Sequence, residues 1–280
     1  MAYSVEQTNS EVLTIRHSDV VSGWQQKYLL MADVHWDNPH CDRKLLSRHL
    51  EQAKESNAGI LIFGDWFCAM QGKFDPRRTK TDIRPEHNKG NYLDLLVNGS
   101  SDFLQPYREN LIAVADGNHE TSIRSHLETD LLERLSDQIG TVHLGYSGFI
   151  QMLFQGVKGH RTSRTIYYHH GYGGGGPVTK GMIQTNRRSA SVEADIFIGG
   201  HIHESWIMEN VKVKLLESRR VVRSTETHLC LPTYKDEYNM AGGFHVERGR
   251  PAKPLGGYWL TFFYEGSQPG NIGYKFERAN

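Results

Sequence analysis

Cysteine is scarce: Cys41, Cys68 and Cys230 are the only three in 280 residues. Their number is odd and no Cys-x-x-Cys spacing joins any two, so neither a disulfide framework nor a structural zinc knuckle is indicated, and a reducing compartment fits best. No apolar run approaches the roughly 18 residues of a membrane span, and the opening MAYSVEQTNS has no basic stretch followed by an apolar one. The chain therefore reads as soluble and cytoplasmic, with no membrane partner. Charge of neither sign is in excess: Lys+Arg and Asp+Glu stand at 32 each, which argues against attachment to nucleic acid by global charge while leaving local patches open. With 38% hydrophobic and 23% charged residues, disordered and fibrous classes are excluded as well. Histidine, at 15 residues, is abundant, and it is the commonest metal ligand.

The apolar pattern is that of an α/β protein. Tyr28–Ala32 reads as a buried strand, Asp42 as the cap of a helix whose Leu45, Leu46, His49, Leu50 and Ala53 recur at helical spacing, and Ile60–Phe63 as a second strand. Strand, helix, strand at this length is a crossover unit of a covered parallel sheet. A helix around Tyr92–Phe103, a strand at Leu111–Ala115, a helix near Ser125–Gln138, strands at 148–154 and 164–168, and a strand at Asp195–Ile198 follow. Beyond residue 205 the runs Trp206–Leu216, Thr227–Leu231 and Tyr258–Tyr264 are β-rich. No internal repeat or linker appears, so residues 1–280 are read as one domain, with a core at about 26–205 and a β-rich part at about 206–280.

Five of the strands share one feature: they end in metal-competent side chains. These are Asp33-Val-His35, Gly64-Asp65, Gly117-Asn118-His119-Glu120, His169-His170-Gly171 and, within GGHIHE, His201-Ile202-His203. Taken singly, each has an ordinary explanation as a helix cap, turn or satisfied histidine. Taken together they occupy the position where open α/β folds bind ligands, beyond the carboxyl ends of the strands. Carboxylate, amide oxygen and imidazole make mixed N/O sites suited to manganese, iron or zinc rather than an all-oxygen calcium cage.

In these blocks and their order the sequence resembles the calcineurin-like metallophosphoesterases, whose pattern is DxH, GD, GNH followed by an acid, a His near Gly or Pro, and GHxH. The resemblance runs from Asp33 to His203. It implies a four-layer α/β/β/α sandwich and a centre of two divalent metal ions, manganese foremost, with iron, zinc, magnesium, nickel or cobalt as alternatives. Asp33, His35 and His203 would hold one ion, Asn118, His169 and His201 the other, and Asp65 would bridge them. Two such cations can hold a bridging hydroxide and polarise a phosphoryl group. His119 would be the catalytic residue, acting on the leaving group. Two departures stand out. The fourth block has two histidines, of which strand alternation turns only one inward; His169 is preferred as ligand, with His170 supporting it. Glu120 replaces the more familiar Asp, and is expected to orient the neighbouring histidine.

Around these blocks, Arg77, Arg78 and Lys80 after Gly64-Asp65, and Lys180, Arg187 and Arg188 after the glycines at 173–176, are candidate phosphate contacts. No GKS or GKT closes that glycine run, so it is not a nucleotide P-loop. The expected function is a metal-dependent phosphoester hydrolase, namely a phosphodiesterase or nuclease acting on nucleic acid or a nucleotide. A phosphomonoesterase is the alternative, and a noncatalytic scaffold a more distant one.

Overall fold

A computed structural model describes residues 3–9, 11–69, 82–156, 159–238, 244–247, 249, 251–266 and 271–279. Among the described residues, thirteen strands form two sheets. The six-stranded sheet contains β3 (Gln25–Met31), β4 (Gly59–Phe63), β5 (Leu111–Ala115), β6 (Val142–Leu144), β12 (Tyr258–Tyr264) and β13 (Ile272–Arg278), in the order β13-β12-β3-β4-β5-β6. Its β3 to β6 are parallel, and β12 runs antiparallel to β3. The seven-stranded sheet contains β1 (Tyr3–Asn9), β2 (Val12–Val20), β7 (Ser147–Gly156), β8 (Arg161–His169), β9 (Ile196–Gly199), β10 (Trp206–Leu215) and β11 (Val221–Cys230), in the order β1-β2-β7-β8-β9-β11-β10.

Side-chain alternation explains the layers. In β3, Leu29 and Met31 face the helices α1 (Arg43–Glu55), α2 (Tyr92–Leu104) and α4 (Leu131–Ile139), while Tyr28 and Leu30 face the other sheet; in β4, Ile60 and Ile62 alternate with Leu61 and Phe63 in the same way. Strands buried on both faces are continuously apolar, which is why they were readable as runs. The second core lies between the sheets, where Ile15, Ile150, Met152, Ile166 and Ile198 of one meet Leu30, Leu61, Leu260 and Phe262 of the other. On the far face of the seven-stranded sheet lies α5 (Met182–Ser189), pinned by Thr185 Oγ1 to His228 Nδ1 at 2.7 Å. The two sheets are thus flanked by helices on both outer faces, the outer layer over the seven-stranded sheet being this single short helix among the described residues.

Asp42 caps α1 as its sequence position predicts, accepting from the Leu45 amide at 3.0 Å. The single helix expected near Ser125–Gln138 is two: α3 (Asn118–Leu127) ends where Glu128 turns left-handed (φ 53°), and Asp130 starts α4 by accepting from the amides of Leu132 and Glu133. The limits drawn at about 26 and 205 also cut through both sheets. β1 and β2 precede them, β10 and β11 extend one sheet beyond them, and β12 pairs directly with β3 in the other.

Phe262, fully buried between the sheets against Phe154 at 5.2 Å, ties the C-terminal strands into that core. Phe262→Ala is expected to lower stability by about 3–5 kcal/mol in urea unfolding, with one transition retained. A change below about 1 kcal/mol would show that these strands pack outside the cooperative core.

Candidate metal centre

The ends of β3, β4, β5, β8 and β9 converge where the carboxyl edges of the two sheets meet. Asp33 and His35 follow β3, Asp65 follows β4, Asn118 and His119 open α3 after β5, His170 follows β8, and His201 and His203 follow β9. Within the six-stranded sheet the Asp33 amide donates to the Gly64 carbonyl and the His35 amide to that of Asp65, each at 3.0 Å. Across the sheets, the His201 amide donates to Asp33 Oδ2 at 2.7 Å and His170 Nδ1–H to the Phe63 carbonyl at 2.9 Å.

Asp65 stands at the middle. Its Oδ1 accepts from the His119 amide at 3.0 Å, and its Oδ2 faces Nε2 of His170 at 3.2 Å, of His119 at 3.9 Å and of His35 at 4.0 Å. Two donor groups flank it: Asp33, His35 and His203 on one side, and Asp65, His170 and His201 on the other. Asn118 Oδ1 lies 2.7 Å from His201 Nδ1 and 3.2 Å from His170 Nε2, joining the second group.

These residues fit divalent cations on their own chemistry. Asp33 Oδ1 is buried with no hydrogen-bond partner, although a carboxylate oxygen out of water demands one. His203 Nε2 lies 3.4 Å from it and 3.4 Å from His35 Nε2, so a carboxylate and two imidazoles present their donor atoms to one point. Burial and the neighbouring His119 hold the His35 imidazole well below its ordinary pKa, and burial and His170 lower His201, which keeps both rings neutral as ligands must be. Burial also opposes charge on His170, but the Asp65 carboxylate outweighs it and raises the ring to about 10. Its Nε2 proton thus sits where a cation beside Asp65 would take its place. Another acidic group, Asp116, Asp130 and His143, does not fit a cation, because the Arg124 guanidinium already bonds both carboxylates.

The structure places His170, rather than the preferred His169, beside the other donor residues. Ile166 and Tyr168 of β8 face the inter-sheet core, so the same parity turns His170 inward and His169 to the opposite face. His169 Nδ1 instead accepts from the Gly171 amide at 3.0 Å, and its ring lies against Tyr146 and Tyr172. The Tyr-Tyr pair at 167–168 hid the parity, which Ile166 alone carried.

Glu120 has a different task from the one expected. Its carboxylate accepts from the backbone amides of Asp65 (3.2 Å), Phe67 (2.8 Å) and Gly117 (2.9 Å), tying the loop after β4 to the start of α3. Burial and the adjacent Asp65 push its pKa up to about 8 against the pull of those amides. Asp37, which sequence reasoning passed over, does the same for the far end of that loop by accepting from the amides of Cys68 at 2.6 Å and Ala69 at 2.9 Å. Its signal was present: it lies four residues after Asp33 in a stretch with few apolar residues.

Backbone strain gathers here. Asp33, His35, Asp65, His201 and His203 all have positive φ, between 49° and 70°. For residues with a Cβ such conformations cost roughly 1–3 kcal/mol each and persist only where the surroundings enforce them. Gly117 shows the tightness of the packing, since a Cβ there would run into the amide and carboxylate of Asp65.

Of the candidate phosphate contacts, Arg77, Arg78 and Lys80 lie outside the described residues. Lys180 pairs with Glu204 at 3.6 Å and lines a cleft of about 490 Å³ with His201, His203 and the glycines at 173–176. Arg187 is exposed on α5, and Arg188 is partly buried there. No helix of the described residues is long and apolar enough to cross a membrane.

No family model matches the sequence, and no curated protein matches it. Among solved structures, a calcineurin-like phosphoesterase, YfkN from Bacillus subtilis, is 13% identical, with a TM-score of 0.34 and coverage of 91% of both chains. A predicted phosphoesterase from Streptococcus pneumoniae is 10% identical, with a TM-score of 0.34 and coverage of 92% of both. GAP50, the anchor in the inner membrane complex of Plasmodium, is 11% identical, with a TM-score of 0.44 and coverage of 91% of this chain and 85% of its own. At such values the likeness assigns nothing to this chain, and the donor geometry stands by itself.

Two measurements follow from that geometry. His170→Ala should weaken metal binding by more than about 100-fold while His169→Ala changes it by less than about tenfold, read by competition against a chromophoric chelator. Gly117→Ala should lower metal content with the far-UV spectrum intact; retained stoichiometry would contradict the close approach to Asp65.

Proposed function

We propose that the chain is a metal-dependent phosphoester hydrolase that cuts a phosphodiester in nucleic acid or a nucleotide. The observation that carries this reading is the convergence of seven donor residues, Asp33, His35, Asp65, Asn118, His170, His201 and His203, in two adjoining groups, one of which holds an Asp33 oxygen buried without a hydrogen-bond partner. Asp33, His35 and His203 would hold one cation and Asn118, His170 and His201 a second, with Asp65 between them; the mixed N/O set suits manganese, iron or zinc. When bound, divalent cations supply Lewis acidity, offsetting charge on phosphoryl oxygens and making water a stronger acid.

The chain's own groups do the rest. His119 Nδ1–H donates to the Cys68 carbonyl at 2.6 Å, which fixes the ring and leaves Nε2 directed toward the centre. Protonated, that nitrogen is placed to give its proton to the departing oxygen as P–O cleavage proceeds. Glu120 and Asp37 keep the loops that carry Asp65 and the Cys68 carbonyl from shifting, so the donors are oriented before substrate arrives.

Charge in the cleft beside His201 and His203 supports the diester. Lys180 and Lys253 both pair with Glu204, and Glu237 lies on the same wall, so the described lining is close to neutral. Beyond the cations, these walls offer no surplus positive charge to a second anionic oxygen, which favours a singly charged diester over a dianionic monoester, and the cleft's size is that of a nucleotide-sized ligand site.

Metal-stripped protein reconstituted with Mn²⁺ is expected to hydrolyse bis(p-nitrophenyl) phosphate in preference to p-nitrophenyl phosphate. His119→Ala should lower kcat by about 10²–10⁴-fold without lowering metal content. Monoester preference would replace the diester reading with a phosphomonoesterase. Bound metal without hydrolysis of either reporter or of DNA and RNA would leave a scaffold.

A further inference from the structure

Arg188, in the last turn of α5, reaches a cavity of about 30 Å³ walled by Tyr172, Gln184, Gly199 and Gly200. Its guanidinium lies 5.5 Å from the Tyr172 ring centroid, and its Nε is buried with no hydrogen-bond partner. The ionisable groups around it are tyrosines, Cys230 and the imidazoles of His169 and His228, and no described carboxylate pairs with it. Burial works against its charge, yet an arginine stays protonated in proteins. A desolvated cation with an unused donor is costly to keep unless an anion meets it.

The helix that carries it is held firmly. Thr185 bonds His228, His228 Nε2 bonds Glu226 Oε1 at 3.1 Å, Glu226 pairs with Lys212 at 2.6 Å, and Lys212 Nζ donates to the Ser189 carbonyl at 3.1 Å. The guanidinium is thus placed rather than draped. It lies on the His169 side of the β8 end, where burial and then the guanidinium hold that imidazole near a pKa of 4, whereas His170 points from the other face toward Asp65. An anion on Arg188 is therefore separated by strand backbone from one held by the metal donors.

Size limits the ligand. A water needs about 10–15 Å³ of such space, so the cavity excludes a base or sugar and admits two or three oxygens of a small oxyanion whose remaining atoms stay at its mouth. Gln184 Oε1, buried on the same wall without a partner, would accept the acidic proton of a hydrogen phosphate. We propose that Arg188 binds a second phosphate of the substrate, distinct from the one attacked, so that the preferred substrates carry at least two phosphate groups, as a nucleotide chain does. This rests on the phosphoesterase reading for its catalytic meaning, but not for the anion site itself.

Two measurements test it on the full-length protein. Inorganic phosphate, titrated with and without Zn²⁺, should shift the Arg188 Nε–H resonance in ¹H–¹⁵N spectra, identified by its loss in Arg188→Lys; a resonance that does not move overturns the proposal. With Mn²⁺, the ratio of kcat/KM for 5′-phosphorylated dithymidylate to that for bis(p-nitrophenyl) phosphate should fall about tenfold or more in Arg188→Met, chiefly through KM, as loss of a charged hydrogen bond predicts. An unchanged ratio overturns the proposal. Failure of the wild type to hydrolyse either compound while the resonance still shifts would sink the phosphoesterase reading and leave the anion site standing.

Discussion

A carboxylate taken out of water must be compensated on the spot, and the Asp65 carboxylate is compensated by the whole molecule. One oxygen takes the His119 amide, and the other faces imidazoles contributed by β3, α3 and β8. Burial would raise its pKa, but His170, His119 and His35 hold it well below the ordinary carboxylate range. Those histidines belong to both sheets, so the charge is balanced only while the sheets are packed. The inter-sheet core and the centre thus depend on each other.

The surroundings show how the arrangement is kept. Positive φ at five of the site residues stores strain that no local sequence preference would choose. It is held by carboxylates acting on backbone amides: Glu120 on three, Asp37 on two and Asp33 on that of His201. The Asp33 carbonyl in turn accepts from Thr233 Oγ1 at 2.7 Å and the Tyr234 amide at 3.1 Å. Thr233 and Tyr234 are therefore buried against the end of β3 and form part of the site's support.

Charge is arranged differently on the two sides of the β8 end. Toward the centre, buried carboxylates face imidazoles, of which His170 carries a proton held by Asp65. On the far side, Arg188 pairs with no described carboxylate and lies against Tyr172 and the neutral His169. The described side-chain charges of the cleft bordering His201 and His203 balance because Glu204 and Glu237 offset its two lysines. A substrate with separated phosphates would meet complementary groups at two points, and a compact monoanion at one.

The sequence by itself determined three of the four parallel strands of the six-stranded sheet, β3, β4 and β5, with the Asp42-capped helix and the residue types at the five strand ends, because continuous apolar runs, a cap and clustered ligand types are local signals. It did not reveal β1 and β2, whose exposed faces dilute the apolar pattern, nor the break at Glu128, which only the left-handed backbone shows. Tertiary structure decided which histidine of the pair faces the metal donors, since parity at Tyr167-Tyr168 is set by which sheet face is covered and both residues are aromatic. It likewise decided that Glu120 bonds amides and that Arg188 lacks a carboxylate, because such partnerships join residues distant in sequence and exist only once the two sheets have closed on each other.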